Sequence, residues 1–543
     1  MRTRHFVFLI TLALLPSAAL TQHDHPATPE KPVSEKLGTV SFTTSCNPAV
    51  QPQFNRAVAL MHSFQFAPAI AAFHAILETD PSCSMAWWGI ALSNWGNPFG
   101  SGLKSPTQLE HGLQAIDQAR AAHPKTERER AYVEAIAHLF TDASTIDPRT
   151  RIVAYESAMK AVSAANPDDT EAAIFYALSI AAAADPADKT YARQLQAGKI
   201  LDALYAQHLD HPGLAHYIIH AYDVPPLAAR AAAAAQHYSE IAPSTPHALH
   251  MPSHTFTRVG DWQASIGANI ASAASARTAG QPGDELHASD YLAYAYLQTA
   301  QDKAAQQVAV AAAEVFAHYD LKPAVAGAAS PAAAYFARAA IPARYCLERR
   351  SWADAAKLEP LASPYPYTDA MTYFARGLGA AHSKDIAAAQ SAVASLAELH
   401  DKLVNAKETY WAYQVEIQRQ EVAAWLAFAQ GHADAALAGM RSAAELEDKT
   451  EKNAITPGPL APARELLGDL LLELNHPAEA LKEYEATLIH EPSRFRSLYG
   501  AAHAAKLAGD RATAQTYFQK LLKVAERADQ PGRPELAEAE TGK

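Results

Sequence analysis

The chain has 543 residues, 45 Lys and Arg against 57 Asp and Glu, and a formal net charge of −12 at pH 7. No run of Lys or Arg is longer than a pair, so the clustered cations that drive nucleic-acid binding are missing and no nucleic-acid partner is expected. With 24 His against 7 Met and 3 Cys, any metal chemistry would run through imidazole and carboxylate rather than sulfur.

The amino terminus has the pattern of an export signal. Arg2 and Arg4 precede an apolar run that ends at Leu15, and small residues follow up to a cleavage position near Ala19. Residues 1–19 are therefore predicted to be a signal peptide, and the mature protein is expected to be periplasmic or secreted. No later segment has the roughly 20 consecutive apolar residues of a spanning helix, so no membrane anchor is expected.

Residues 20–44 have many prolines and neither helical nor alternating apolar periodicity, which predicts a flexible leader. In an oxidising compartment Cys46 and Cys83 are candidates for a disulfide, with Cys346 left single. The spacing alone leaves this pairing open.

From about residue 45 onward, apolar residues recur at spacings of three and four, alanine fills the small positions, and Pro or Gly separates the segments. This pattern predicts an all-α chain. The clearest unit begins at Arg464 and has the residue pattern of two packed helices, at Leu467, Gly468, Leu471, Ala480, Tyr484 and Pro492. The two small residues and the aromatic residue of this unit, Gly468, Ala480 and Tyr484, have counterparts 34 residues later in Ala502, Ala514 and Phe518.

These spacings fit the tetratricopeptide pattern, and the chain resembles the tetratricopeptide-repeat superfamily. More closely, it resembles a group of exported, functionally uncharacterised bacterial members through four stretches: HYIIHAYD at 216–223, HMPSH at 250–254, DYLAYAY at 290–296 and TPGPLAPAR at 456–464. The resemblance implies antiparallel helix pairs stacked into a solenoid, with a concave groove that binds a peptide or protein partner.

The regularity of the repeats varies along the chain, which suggests a division into regions. Residues 45–320 are predicted to be the first repeats and to contain a histidine cluster, and residues 321–410 are predicted to be degenerate repeats. Residues 411–526 are predicted to be the C-terminal repeats, followed by a disordered tail at 527–543.

Histidines cluster between residues 208 and 254, where eight of the 24 occur. His216 and His220 are four residues apart, His250 and His254 are four apart, and the second pair follows the first by 34 residues. Because 34 residues is one repeat, both pairs are expected on equivalent faces of stacked helices, where the four imidazoles would converge on one point.

A metal site is one interpretation of this cluster. Asp223 is predicted either to supply an oxygen ligand or to orient an imidazole, and His247, three residues before His250, is a further candidate. A set of His and Asp suits Zn²⁺ or Cu²⁺ better than Ca²⁺ or Mg²⁺, which prefer oxygen ligands. The alternative is that the imidazoles form the polar floor of a groove, with His247, Asp290 and Tyr294 as further groove residues.

Two functions therefore remain open at this stage. The first is an exported scaffold that binds a peptide or protein, and the second is a divalent-metal-binding protein or metal-dependent enzyme centred on the two histidine pairs. The sequence has no glycine-rich phosphate loop, GxSxG, HExxH or CxxC motif, so it identifies no catalytic residue.

Overall fold

Prolines and short polar side chains begin many of the helices of this protein. The computed structural model describes residues 35–100, 104–319 and 327–542, and within these ranges no β-strand forms. Proline often lies in the first helical turn, where its missing N–H has no partner to lose. Ser105 and Gln108 form a reciprocal capping box at the start of one helix.

The helices before the second gap are mostly of three to five turns and are joined by short loops: α1 Gln51–His62, α2 Phe66–Thr79, α3 Ser84–Trp95, α4 Pro106–Ala121, α5 Glu127–Ala137, α6 Pro148–Ala165, α7 Thr170–Ala182, α8 Ala192–Tyr205, α9 Pro212–Ala221, α10 Ala232–Ile241, α11 Pro246–His250, α12 Pro252–Val259, α13 Trp262–Thr278, α14 Pro282–Gln298 and α15 Asp302–Ala317. A short 3-10 helix, Pro48–Val50, precedes α1, and another, Ala228–Ala231, lies between α9 and α10.

The helices after the gap are these: α16 Pro331–Glu348, α17 Trp352–Ala355, α18 Pro366–His382, α19 Ile386–Asn405, α20 Thr409–Ala429, α21 Ala433–Glu447, α22 Ala463–Glu473, α23 Pro477–His490, α24 Phe495–Leu507, α25 Arg511–Val524 and α26 Pro534–Thr541. None of the described helices is both long and apolar enough to cross a membrane.

Consecutive helices pack in antiparallel pairs through small residues and an aromatic ring. Tyr484 on α23 lies against Gly468 on α22 and Gly500 on α24, and a Cβ added to those glycines would come within 2.8 Å and 2.4 Å of the ring. Phe73 on α2 packs against Gly89 on α3 in the same way. The predicted all-α helical-repeat fold is confirmed, and so is the close approach at Gly468.

The C-terminal repeats also contact helices from the middle of the chain. Arg494, just before α24, donates a hydrogen bond of 3.0 Å to the hydroxyl of Tyr294 on α14. The indole N–H of Trp262 on α13 donates to the carbonyl of Ser493 at 2.9 Å. As a result Tyr294 is fully buried, which contradicts its predicted place in an open groove.

Parts of the predicted leader and tail are folded, which corrects two sequence-based boundaries. Phe42 lies in the leader but is buried among the rings of Phe54, Trp88 and Tyr132. In the tail, α26 packs on the repeats, and Arg533 before it forms a 2.6 Å ion pair with Asp302. Both segments lack helical periodicity over a long window, yet a few apolar or charged side chains suffice to fix them to the body.

From Lys36 onward the described chain forms one compact unit. Cys46 and Cys83 are joined by a disulfide, as the sequence suggested, and Cys346 is buried and free. The largest apolar core gathers side chains between residues 37 and 251 together with Ala328, and a second core gathers side chains between 329 and 504. The predicted signal peptide lies outside the described residues.

Candidate metal centre

Six buried histidines from four helices lie side by side: His216 and His220 on α9, His247 and His250 on α11, His254 on α12 and His287 on α14. Pro252 interrupts the hydrogen bonding between α11 and α12, but Met251 keeps helical backbone angles. The four-residue spacing of His250 and His254 therefore still brings their rings together, at 5.0 Å between centroids.

The first group consists of His216, His220 and His247. One ring nitrogen of each lies within 4.8 Å of the other two. The Nε2 atoms of His216 and His247 are 3.1 Å apart, and the centroids of His216 and His220 are 4.9 Å apart. The ring of Phe64 stacks on both His220 and His247, so this group is packed against apolar surface.

The second group consists of His250, His254 and His287, whose ring nitrogens meet the same 4.8 Å limit. The Nε2 atoms of His250 and His254 are 3.1 Å apart, and the centroids of His250 and His287 are 4.5 Å apart. The Tyr291 ring lies 4.7 Å from that of His250, and its hydroxyl donates to backbone carbonyls, 3.0 Å away in the nearer case.

The two groups adjoin each other. The ring centroids of His220 and His254 are 5.8 Å apart, and those of His247 and His250 are 6.0 Å apart. Within the second group, the centroids of His254 and His287 are 6.4 Å apart. Separations between the groups are thus no larger than those inside a group, and the six imidazoles form one continuous cluster.

Hydrogen bonds on the far side of three rings determine which nitrogen carries the proton. The Nδ1–H of His216 donates to the carbonyl oxygen of His62 at 2.6 Å, and that of His254 donates to a carboxylate oxygen of Asp223 at 2.9 Å. His250 Nδ1 faces the amide oxygen of Asn269 at 2.7 Å. Because these oxygens only accept, each Nδ1 must be the donor.

The Nε2 atoms of these rings therefore carry lone pairs when the rings are neutral. Burial lowers the pKa of all six rings, to about 3 for His216 and His287, and so favours the neutral form. The lone pairs of His250 and His254 then point at each other across 3.1 Å, where no hydrogen bond is available. His220 Nε2 is also buried and has no hydrogen-bond partner among the described residues.

This arrangement has the features of a metal-binding site. Metal-ligating histidines ordinarily donate their other N–H to a carboxylate, carbonyl or amide oxygen, as His216, His250 and His254 do. With metal–nitrogen bonds of about 2.0 Å, a separation of 3.1 Å between two ligands corresponds to an angle of about 100° at the metal. That angle fits tetrahedral or tetragonal coordination.

The Asp223 side chain is 8% exposed and supports His254 from outside the cluster. It also accepts a hydrogen bond of 2.9 Å from Arg258 and lies 3.3 Å from the Lys452 ammonium. Although burial alone would raise the pKa of this carboxyl, Lys452, Arg258 and His254 hold it well below its usual value. Asp223 is therefore a carboxylate that orients an imidazole, which is one of the two roles the sequence suggested.

A small cavity of about 30 Å³ lies beside the cluster. Both groups reach it, through His220 and His247 of the first and His254 and His287 of the second. Apolar side chains such as Phe99, Ala329 and Ile455 form much of the remaining wall. The volume is about that of one water molecule, so the cavity admits only very small ligands.

The structure brings the predicted histidines together, but in two groups rather than at one point. His216, His220, His250 and His254 do not share one point, because each pair completes a separate three-histidine group. His247, predicted to line a groove, is a member of the first group. Asp290 is not in an open groove either, since it is buried and forms a 3.0 Å ion pair with Arg344.

The sequence reasoning missed His287 and the residues that fix the proton positions. His287 is followed four residues later by Tyr291, in the place where each of the other pairs has its second histidine. That spacing was the available signal. Nothing in the sequence marked Asn269, because a single asparagine on a helix is ordinarily a solvated residue.

A second buried cluster has the character of a structural network. Glu171 accepts hydrogen bonds from His62 at 2.9 Å and from His211 at 3.0 Å, and His62 Nδ1 contacts the Tyr217 hydroxyl at 3.0 Å. A carboxylate thus occupies the space between the two imidazoles. Both histidine nitrogens that face Glu171 have a carboxylate oxygen as acceptor. In the six-histidine cluster, by contrast, the Nε2 atoms of His250 and His254 face each other.

No family model and no curated protein matches this chain. Among solved structures it is similar to a monomeric mutant of IFIT1 with m7Gppp-AAAA, at 10% identity and a TM-score of 0.36 over 89% of this chain and 96% of that one. It is also similar to Naa15/Naa10 bound to HypK-THB, at 12% identity and a TM-score of 0.24 over 90% of this chain and 71% of that one.

A third similar structure is the APC/C hetero-tetramer Cut9–Hcn1, at 12% identity and a TM-score of 0.30 over 90% of each chain. At these identities and TM-scores, none of the three assigns a ligand or a site residue to this chain.

Proposed function

We propose that this protein binds transition-metal ions through the first and second histidine groups, with the helical repeats as the rigid frame. The observation that carries the proposal is the pair of Nε2 lone pairs of His250 and His254, 3.1 Å apart and each fixed by a donated Nδ1–H. Two buried lone pairs repel each other unless a cation lies between them.

The ligand set narrows the choice of metal. Neutral imidazole suits Zn, Cu, Fe and Ni, whereas Mg²⁺ and Ca²⁺ require oxygen ligands that the cluster lacks. Asp223, the carboxylate that accepts a hydrogen bond from His254, is already paired with Arg258 and Lys452. Copper and zinc are therefore the leading candidates, and copper has the higher intrinsic affinity for nitrogen ligands.

Metal analysis of protein purified without a histidine tag tests this proposal. The parent protein should contain or take up about two ions per chain, and His254→Ala should lose affinity for at least one of them by more than about 100-fold. His237→Ala is the control, because the His237 side chain is 59% exposed on α10 and lies outside the cluster. Negligible binding by the parent would refute the proposal.

A larger cavity supports a second candidate function, the binding of a peptide or protein segment. This cavity, of about 130 Å³, is lined by Trp411 and by Gln414 and Gln418, four residues apart on α20. Gln414 Nε2 and Gln418 Oε1 are buried and have no hydrogen-bond partner among the described residues. Together they offer one donor and one acceptor, as a peptide bond requires.

Calorimetric titration with short capped peptides that contain one aromatic residue tests this second function. Binding should weaken in Gln414→Ala and Gln418→Ala and should be unchanged in the exposed-site variant His237→Ala. If no peptide binds the parent protein, the larger cavity has another role.

Export to the periplasm or the medium remains part of the proposal. Its support is the amino-terminal pattern of Arg2, Arg4 and the apolar run, together with the Cys46–Cys83 disulfide, which suits an oxidising compartment. Amino-terminal sequencing of protein from fractionated cells should find a mature chain that begins near Leu20. A chain that retains Met1 in the cytoplasm would contradict it.

A further inference from the structure

We infer that the two histidine groups form a dinuclear copper centre that binds dioxygen between the two ions. This inference rests on the proposed metal binding and adds the nature of the centre and its ligand. Three features carry it: the contact between the groups, the ligand set made of imidazoles alone, and the small cavity that both groups reach.

The first step is the distance between the groups. His220 and His254 belong to different groups, yet their ring centroids are only 5.8 Å apart. With metal–nitrogen bonds of about 2 Å, ions held by such neighbouring rings can approach within a few ångströms of each other, as in two-metal sites. The ions can then share one bridging ligand.

The second step is electrostatic. Six neutral imidazoles contribute no negative charge, so two Zn²⁺ ions would place four positive charges in a buried site, at a large desolvation cost. Two Cu⁺ ions would place only two positive charges in the same site. Asp223 offsets little of this charge, because Arg258 and Lys452 are already paired with it.

The third step concerns the exogenous ligand. The cavity of about 30 Å³ admits only a very small molecule and is too small for an organic substrate. Its walls beside the histidines include Phe99, Ala329 and Ile455, and such apolar surface favours an uncharged diatomic molecule over a hydrated anion. Dioxygen meets both requirements.

The reaction balances without any other reactant. Each Cu⁺ gives one electron to dioxygen and becomes Cu²⁺, and dioxygen accepts the two electrons and becomes a bound peroxide. Copper–oxygen bonds form, the oxygen–oxygen bond remains, and no proton moves. The total charge of the metals and the ligand stays at two positive charges, so the buried site undergoes no change in net charge during oxygenation.

Anaerobic loading of the tag-free full chain with Cu⁺, followed by addition of dioxygen, tests the inference. We expect two copper ions per chain and uptake of one dioxygen per two coppers. A peroxide-to-copper charge-transfer band should appear in the near ultraviolet. The oxygenated protein should give no Cu²⁺ electron paramagnetic resonance signal, because two bridged Cu²⁺ spins cancel.

The alternative outcomes separate this inference from the proposed function. If two coppers bind but oxidation yields two independent, spectroscopically visible Cu²⁺ signals without stoichiometric uptake, the dinuclear inference is overturned and metal binding stands. If neither copper nor zinc binds, both fail. If zinc binds and Cu⁺ does not, metal binding stands and the copper inference fails.

Variants provide a second readout. His287→Ala removes a ligand of the second group only, so it should lose dioxygen uptake at least 10-fold while the first group still binds one copper. His237→Ala, on the exposed face of α10, should match the parent in uptake and spectrum. Undiminished uptake by a folded His287→Ala protein would contradict the pairing of the two groups.

Discussion

The Nε2 atoms of His250 and His254 lie 3.1 Å apart while the opposite nitrogen of each ring faces an oxygen acceptor. Asn269 and Asp223 supply those oxygens from two different elements of the fold. The protein therefore fixes two buried imidazoles in the orientation that ligands of one metal ion have. A groove floor of solvated histidines has no need for such fixed orientations.

Removal of the oxygen acceptor for His250 should weaken metal binding without direct contact to the ion. Asn269 is fully buried, and Asn269→Ala leaves His250 Nδ1 without its partner and the ring free to rotate. We expect affinity to fall by about 10- to 100-fold, the usual effect of losing such a partner. Calorimetric titration of the parent and the variant with Cu²⁺ or Zn²⁺ measures this loss of affinity.

Asn405→Ala, at an exposed position at the end of α19, is the matched control and should bind as the parent does. Equal affinities for the parent and a folded Asn269→Ala protein would indicate that His250 is not a ligand.

Stability should fall as pH rises through neutrality because of two neighbouring carboxyl groups, Glu421 and Glu447. Burial raises the pKa of Glu447 to about 7, and burial together with the charge of Glu447 raises the pKa of Glu421 well above its usual value. A carboxyl whose pKa is higher in the folded state than in the unfolded state stabilises the fold below its unfolded pKa. That contribution is lost as pH rises through the folded pKa.

Glu447→Gln should therefore be less sensitive to pH than the parent between about pH 5 and 8. Above pH 7 it should be more stable, by an amount on the order of 3 kcal/mol. Glu445→Gln, at an exposed position on α21, is the control and should follow the parent. Urea unfolding at several pH values measures the effect, and parallel curves for the parent and Glu447→Gln would refute it.

A large side chain at Gly468 should unfold the C-terminal repeats first. Even a Cβ would approach the ring of Tyr484 to 2.8 Å, so Gly468→Leu must displace α23 from α22. Overpacking of this kind costs about 1–3 kcal/mol or more. Thermal melting and limited proteolysis should reveal early cleavage in α22–α26.

Gly439→Ala is the control, in which a glycine is replaced where space for a side chain is available. A Cβ there would meet Ala424 at 3.5 Å, an ordinary contact, and alanine favours the helical backbone. This variant should be as stable as the parent or slightly more stable. A Gly468→Leu protein that melts and resists protease like the parent would contradict the packing of this repeat.

The sequence predicted the fold well because helical periodicity is local. The spacing from Gly468 to Tyr484 encodes a contact between two adjacent helices, and the structure has that contact. The burial of Tyr294 was not predictable, because it depends on Arg494, 200 residues later in the chain. A contact between residues so far apart in the sequence leaves no periodic pattern.

The candidate site was predictable in part for the same reason. The two histidine pairs repeat at the period of the fold, so four of the six members were predicted as a cluster, and His247 was named as a further candidate. Their division into two groups depends on His247 and His287, which approach from α11 and α14 by packing between helices. The proton positions depend on single acceptors such as Asn269, which spacing does not reveal.

X-ray diffraction at the copper absorption edge, from crystals of copper-loaded protein, tests the central claim most directly. The account predicts two anomalous peaks about 4 Å apart, one bounded by His216, His220 and His247 and the other by His250, His254 and His287. No anomalous density in either group, with the Nε2 atoms of His250 and His254 still 3.1 Å apart, would contradict it.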